Sequence, residues 1–197
     1  TGLAESFPSC GGDCANPYAH DVAHQPSLAY VPYLTTGDHY YLEELQFWSN
    51  YNLFQSNPHY REYGKGLFQA EQVRGQAWSM RTLGQTAYIT PDNDPLKNYF
   101  NQRVQYNLDW YDENYVNNIA SISFGFLTNG YAFPYNNGRA MSPWMDDFFT
   151  WSIGHLVELG FTNAMPLLSW KAKFPINRMT NTEYCWLFAT VYSLNMK

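Results

Sequence analysis

Among the 17 acidic residues and 5 histidines of this sequence, the candidates for proton exchange at a bond fall into short runs. His20-Asp21 and His24-Gln25 stand just ahead of Pro26, and the adjacent carboxylates Asp146-Asp147 open an apolar stretch. Acid–base chemistry at a bond takes two positioned groups, one giving a proton and one accepting it or attacking. Successive helical residues point about 100° apart, so Asp146 and Asp147 do not converge on one atom. One of them would have to act with a carboxylate from elsewhere, and Asp21 is the candidate. Equally, both suit a helix start, where the dipole favours negative charge. His20 and His24 are candidates for general acid or base, or for pinning the chain ahead of a helix. A His-x-x-x-His pair can hold a metal when helical, but Pro26 puts this one before the helix, so no metal and no cofactor is assigned. A Gly-rich phosphate loop, a nucleophile elbow and a Cys-His signature are all missing from the sequence.

A second set of residues suits recognition. Arg74, Gln76 and Trp78 share one run, Trp144 stands two residues before Asp146, and Tyr184 two before Trp186. Aromatics make up 19% of the chain, and Tyr and Trp, apolar with a polar tip, serve cores and sugar-stacking clefts alike. Glu43 and Glu44 read as a solvated face. His155, with Glu158 deep in the same helix, reads as a satisfied core histidine. Arg81, at helical spacing from Trp78, reads as structural.

Helices must position these groups. Residues 1–19 carry Gly, Pro and Ser and form an extended entry segment. Pro26 opens a short first helix, kinked at Pro32 and ended near Gly37. Asp38 caps a second helix, whose Tyr41, Leu45 and Trp48 recur at helical spacing through about Phe54. Residues 55–69 form a loop, a third helix covers about 70–88, and Asp94-Pro95 starts a fourth. The fourth has the clearest stripe: Leu96, Phe100, Val104, Leu108, Tyr111 and Tyr115. Residues 117–141 break the pattern with Asn129-Gly130 and Asn137-Gly138. An irregular or small-β insertion is expected there, with Ile122 to Phe126 as a short strand. Ser142-Pro143 starts a fifth helix over 144–159, stopped by Gly160. A sixth spans about 163–173. Thr180 to Glu183 then has capping-box spacing and opens an apolar helix toward the chain end.

The expected fold is all-α: helical hairpins over 26–54, 70–116 and 142–174 and half a fourth, with 20–197 as a single domain. The first helix of each pair reads as inner and the second, with one stripe and more charge, as outer. Antiparallel hairpins point every inner N-terminus at one rim.

Acidic residues outnumber basic ones 17 to 11 and the bases are scattered, so the basic footprint of a nucleic-acid binder is missing. No run approaches the roughly 20 apolar residues of a membrane span. Cys10-Gly-Gly-Asp-Cys14 suits either a small disulfide in an exported protein or two free thiols, and a zinc site would need a second ligand pair. Cys185, in the apolar C-terminal run, is expected to be buried. The start at Thr1 and the end inside an apolar run read as a fragment of a longer protein.

The hairpin pattern over 26–197 resembles the (α/α) toroid. That architecture is shared by six-hairpin glycosidases and the toroid domains of alginate, chondroitin and heparinase-type polysaccharide lyases. Five runs carry the resemblance: His24-Gln-Pro-Ser-Leu-Ala-Tyr30, Tyr33-Leu-Thr-Thr-Gly-Asp38, Arg74-Gly-Gln-Ala-Trp78, Pro143-Trp-Met-Asp-Asp-Phe148 and Gly154-His-Leu-Val-Glu-Leu-Gly160. Its hairpins are too few to close a ring, so the toroid would be incomplete. The resemblance implies a cleft over the inner-helix openings, lined by His20, Asp21, His24 and Gln25, by Arg74, Gln76 and Trp78, by Trp144, Asp146 and Asp147, and by Tyr184 and Trp186. It implies a glycoside hydrolase working through paired carboxylates, or a lyase in which histidine acts as acid or base and Arg74 neutralises a uronate. The ligand would be an extracellular or envelope polysaccharide or oligosaccharide, and the location extracellular or periplasmic. A second expectation is a non-catalytic scaffold that binds a glycan, the rest of a longer chain or a self-associating partner.

Overall fold

The computed structural model describes residues 21–118 and 123–196. The expected entry segment over 1–19, the Cys10 and Cys14 pair and His20 lie outside the described residues. The described chain is mostly helical, with one two-stranded sheet.

Gly37 takes φ +67° and donates to the Tyr33 carbonyl at 2.8 Å, which ends α1 (Tyr30–Thr36). The Asp38 carboxylate accepts the Tyr40 N–H at 3.0 Å and starts α2 (His39–Gln55). The axis of the fold is α3 (Val73–Ile89), in which Ala77, Met80 and Leu83 are sealed and Gln76, Ser79, Thr82 and Thr86 are buried too. A helix buried over most of its surface needs several neighbours. They are α2, α4 (Lys97–Tyr111) and α5 (Pro143–Glu158). Lys97 ties α4 to the end of α3, donating to the carbonyls of Ala87 at 2.9 Å and Thr90 at 2.8 Å, where a cation suits the helix dipole. The expected stripe of α4 is buried from Phe100 through Val104, Leu108 and Tyr111 to Tyr115. Tyr115 itself stands in a π-helical turn over Asp112–Val116.

Where a single helix over about 163–173 was expected, α6 (Met165–Lys171) is followed at once by another helix, α7 (Lys173–Thr180). Pro175 lacks the N–H that would bond the Lys171 carbonyl, so a continuous helix breaks there. The expected C-terminal helix does not form. The Asn181 side chain accepts the Glu183 N–H at 2.8 Å in a local turn, a use of Asn that competes with helix. A 3-10 turn over Trp186–Phe188 follows, and Cys185 is exposed instead of buried because no helix encloses it. The chain then returns as β2 (Leu194–Asn195), antiparallel to β1 (Ala140–Met141), with Met141 opposite Leu194.

The 117–141 segment bends back at Asn137-Gly138, bridged from Tyr135 to Ala140, but residues 123–126 form no strand. It packs inward. A Cβ on Gly130 would stand 2.3 Å from the Glu71 carbonyl, and the Tyr115 hydroxyl accepts the N–H groups of Thr128 at 3.1 Å and Asn129 at 3.0 Å.

The first hairpin also departs from expectation. Residues 22–24 make a 3-10 turn and Gln25 is extended, as a residue before proline tends to be. The helix waits until Tyr30, and Pro32 falls in its first turn, where its missing N–H costs little. Residues 22–27 run along α3 instead: Val22 meets Gly75, the Gln25 carbonyl meets Arg81, and Ser27 meets Gln85.

Candidate functional site

Arg74, Trp78, Arg81 and Gln85 recur at steps of four, three and four along α3, and Trp144, Phe148, Trp151 and His155 repeat those steps on α5. Helical period gathers each set on one face. The two helices run parallel and set the faces in register. The Arg74 guanidinium lies 5.3 Å from the Trp144 ring centre, Trp78 is 4.7 Å from Phe148 and 6.2 Å from Trp151, and Gln85 Nε2 donates to His155 Nε2 at 3.1 Å. Close approach is allowed by Gly84, where a Cβ would stand 2.8 Å from Leu156 Cδ1. The result is a seam of aromatic rings between α5 and the 22–27 stretch. Trp78, Trp144 and Phe148 are half-buried and Trp151 is exposed.

At the starting end of the seam Trp144 meets Tyr192 at 5.5 Å, and Tyr192 meets Tyr135 at 5.6 Å. Trp144 Nε1 and Ser142 Oγ both donate to the Tyr192 carbonyl at 3.1 Å. Its hydrogen bond with the Tyr135 phenol raises the Tyr192 phenol. Beside this end Asp21 pairs with His24 and accepts the Ala23 N–H at 2.8 Å. Burial, and then the Asp21 carboxylate, push Glu71 up, and the same two causes act on Tyr51 with Glu71 added. Two carboxylates in unlike surroundings can divide acid and base roles.

At the far end His155 stacks on Trp151 at 5.5 Å, 5° from coplanar, with the edge of Tyr30 at 6.1 Å. The Gln85 amide donates to Nε2, which assigns the imidazole proton to Nδ1, facing Glu158 at 3.4 Å. Gln85 in turn accepts the Ser27 hydroxyl.

Of the residues singled out from the sequence, Arg74, Trp78 and Trp144 meet on the seam, with Asp21 and His24 beside it. Gln25 is buried, accepting Asn52 Nδ2 at 2.6 Å, and anchors the 22–27 stretch. Gln76 faces away, fully buried, accepting the Tyr111 hydroxyl at 2.6 Å and Asn129 Nδ2 at 3.0 Å. Asp146 is sealed in the core: one oxygen accepts the Leu127 N–H at 3.0 Å and the other pairs with Lys171. Burial pushes the Asp146 carboxyl up and the Lys171 ammonium down, each against the pull of the other. Asp147 pairs with Arg178 of α7. Tyr184 closes its own turn on the Phe188 carbonyl at 3.3 Å, Trp186 is exposed, and the C-terminal segment reaches the seam through Tyr192.

Sequence reasoning missed Glu71, Gln85, Phe148, Trp151 and Tyr192, and placed His155 in the core. The four-three-four spacing shared by the third and fifth helices is the signal that finds most of them. Tyr192 has no local signal, because a long-range strand pairing brings it in. Among the described residues no group of His, Cys, Asp and Glu could hold a metal, and no helix is long and apolar enough to cross a membrane. Comparisons with protein-family models, curated proteins and solved structures gave no match.

Proposed function

We propose that this chain is a carbohydrate-binding helical domain, an arc of (α/α)-toroid type, that holds an extracellular or envelope polysaccharide along the α3–α5 seam. The observation that carries this reading is the row Trp144, Phe148, Trp78 and Trp151, set between Arg74 at one end and Gln85 with His155 at the other. A sugar needs flat apolar faces for its C–H surfaces and nearby donors and acceptors for its hydroxyls. The parallel pair α3 and α5, each followed by an antiparallel partner, supports an arc of inner and outer helices. The 22–27 stretch takes the position of a further inner element.

Binding without turnover is favoured by Asp146 and Asp147, whose carboxylates are engaged by Lys171 and Arg178. A catalytic version, hydrolase or lyase, would turn on Asp21, His24 and Glu71, where burial raises Glu71 beside the exposed Asp21.

Affinity electrophoresis through gels cast with neutral and acidic polysaccharides tests the reading. The chain is expected to be retarded by at least one of them, with retardation lost in Trp151→Ala and kept in Trp186→Ala. Unchanged mobility in every gel overturns it. Assays for new reducing ends and unsaturated products, run beside Glu71→Gln, separate turnover from binding.

A further inference from the structure

One side of α7 faces the core and the other faces water. Phe174 and Arg178, one turn apart, are buried. At about 100° per residue Lys173, Ile176, Met179 and Thr180 fall on the opposite side, and all four are exposed. Ile176 and Met179 make its apolar middle. Beside α7 stands the 3-10 turn Trp186–Phe188, whose three apolar side chains are each more than half exposed. That turn is held in place. Arg178 donates to the Ala189 carbonyl, the Ala189 N–H donates to the Trp186 carbonyl at 2.9 Å, and Ala189 is sealed. Together the five large apolar side chains leave about 500 Å² in water, near the upper end of what a soluble monomer shows and a mark of an interaction surface.

Charge selects the occupant. Residues 173–188 carry two bases, Lys173 and Arg178, and one acid, Glu183, in a chain with 17 acidic residues against 11 basic ones. Arg178 is engaged by Asp147. Lys173 and Glu183 are exposed, and among the described residues neither forms an ion pair. Lys173 opens α7 and Glu183 follows its last turn, so about 12 Å of helix separates the two charges, with Ile176 and Met179 between. Turned end for end, this face is its own complement, cation against anion. A lipid surface would instead set its phosphates against Glu183.

We infer that this face binds a second copy of the chain across a two-fold axis. Each α7 lies antiparallel to its counterpart, Ile176 and Met179 pack around the axis, and Lys173 of each copy pairs with Glu183 of the other. An isologous contact uses one patch twice. Two such patches bury about 1,000 Å² in all, the lower limit for a specific interface, so the dimer is a reversible one. The net charge of −6 on each copy opposes close approach elsewhere, whereas on this face bases outnumber acids. The inference stands apart from the glycan reading and goes beyond it.

Sedimentation equilibrium over a wide range of protein concentration is the test. The wild-type chain should pass reversibly from monomer to dimer. Lys173→Glu and Glu183→Lys, both at exposed positions, should each weaken association about tenfold or more, because each sets like charges together twice. An equimolar mixture of the two variants should associate again, since every contact between positions 173 and 183 then joins opposite charges. Ile176→Ser should weaken the dimer without such rescue. A chain that stays monomeric at every concentration overturns the inference, and binding of that monomer to phosphatidylcholine vesicles would give the face to lipid. A dimer that ignores both charge reversals also overturns it, because that dimer forms through another surface.

Discussion

Lys171 reaches from α6 to the carboxylate of Asp146 on α5, and both side chains are sealed from solvent. The ammonium also donates to the Gly125 carbonyl at 2.8 Å, and the carboxylate accepts the Leu127 N–H. One ion pair thus joins two helices and the segment that precedes β1. Removing one partner of a buried pair strands the other and costs about 3–5 kcal/mol. Asp146→Ala should therefore lose that much stability in chemical denaturation, and Asp146→Leu with Lys171→Met should recover a large part of it. A single variant as stable as wild type contradicts the structural role.

The approach of α3 to α5 depends on Gly84. Filling that contact should cost Gly84→Val about 1–3 kcal/mol, the usual range for overpacking, with Leu156→Ala relieving part of it in a double-mutant cycle. Glycan retardation should fall alongside, because the two halves of the seam are set in register by this contact. Additive losses at 84 and 156 would mean that the helices do not meet there.

Burial, with the Asp109 carboxylate adding to it, raises Asp112 to about 6. The folded chain therefore holds this proton more tightly than the unfolded chain does. The corresponding stability is fully present below the ordinary carboxylate pKa of about 4 and is lost as pH rises through about 6. Asp112→Asn should raise Tm above wild type at pH 8 and leave it unchanged at pH 4. The same difference at both pH values contradicts the assignment.

Tyr115 holds the loop over the start of α3, donating to Asn129 Oδ1 at 2.6 Å while it accepts two backbone N–H groups. Tyr115→Phe leaves those groups without their acceptor, at a cost of about 1–3 kcal/mol. Amide hydrogen exchange at Thr128 and Asn129 should accelerate, and protection equal to wild type would contradict the contact.

What the sequence made legible was local. Asp94-Pro95, Ser142-Pro143 and Gly160 mark helix ends through backbone chemistry within one turn, and the stripe from Phe100 to Tyr115 reports burial directly. The failures are contests that local pattern cannot settle. Thr180 to Glu183 has the spacing of a cap, yet Asn181 satisfies Glu183 in a turn and the backbone beyond finds β1 as a partner. Lys171 sits among Leu167, Trp170 and Phe174 on buried surface, a placement that makes sense only beside Asp146. Trp144, Phe148, Trp151 and His155 read as one helix face in sequence. Half of a seam emerges from them only when α3 lies parallel, with Arg74, Trp78 and Gln85 opposite.

The most direct measurement is a titration of isotope-labelled protein with the glycan that retards it, followed through the indole N–H signals of its 7 tryptophans. Ligand on the seam should shift Trp78, Trp144 and Trp151 together and leave Trp48, Trp110, Trp170 and Trp186 in place. Shifts confined to Trp186 or Trp48, with the seam signals unmoved at saturation, would put the ligand elsewhere and contradict the account.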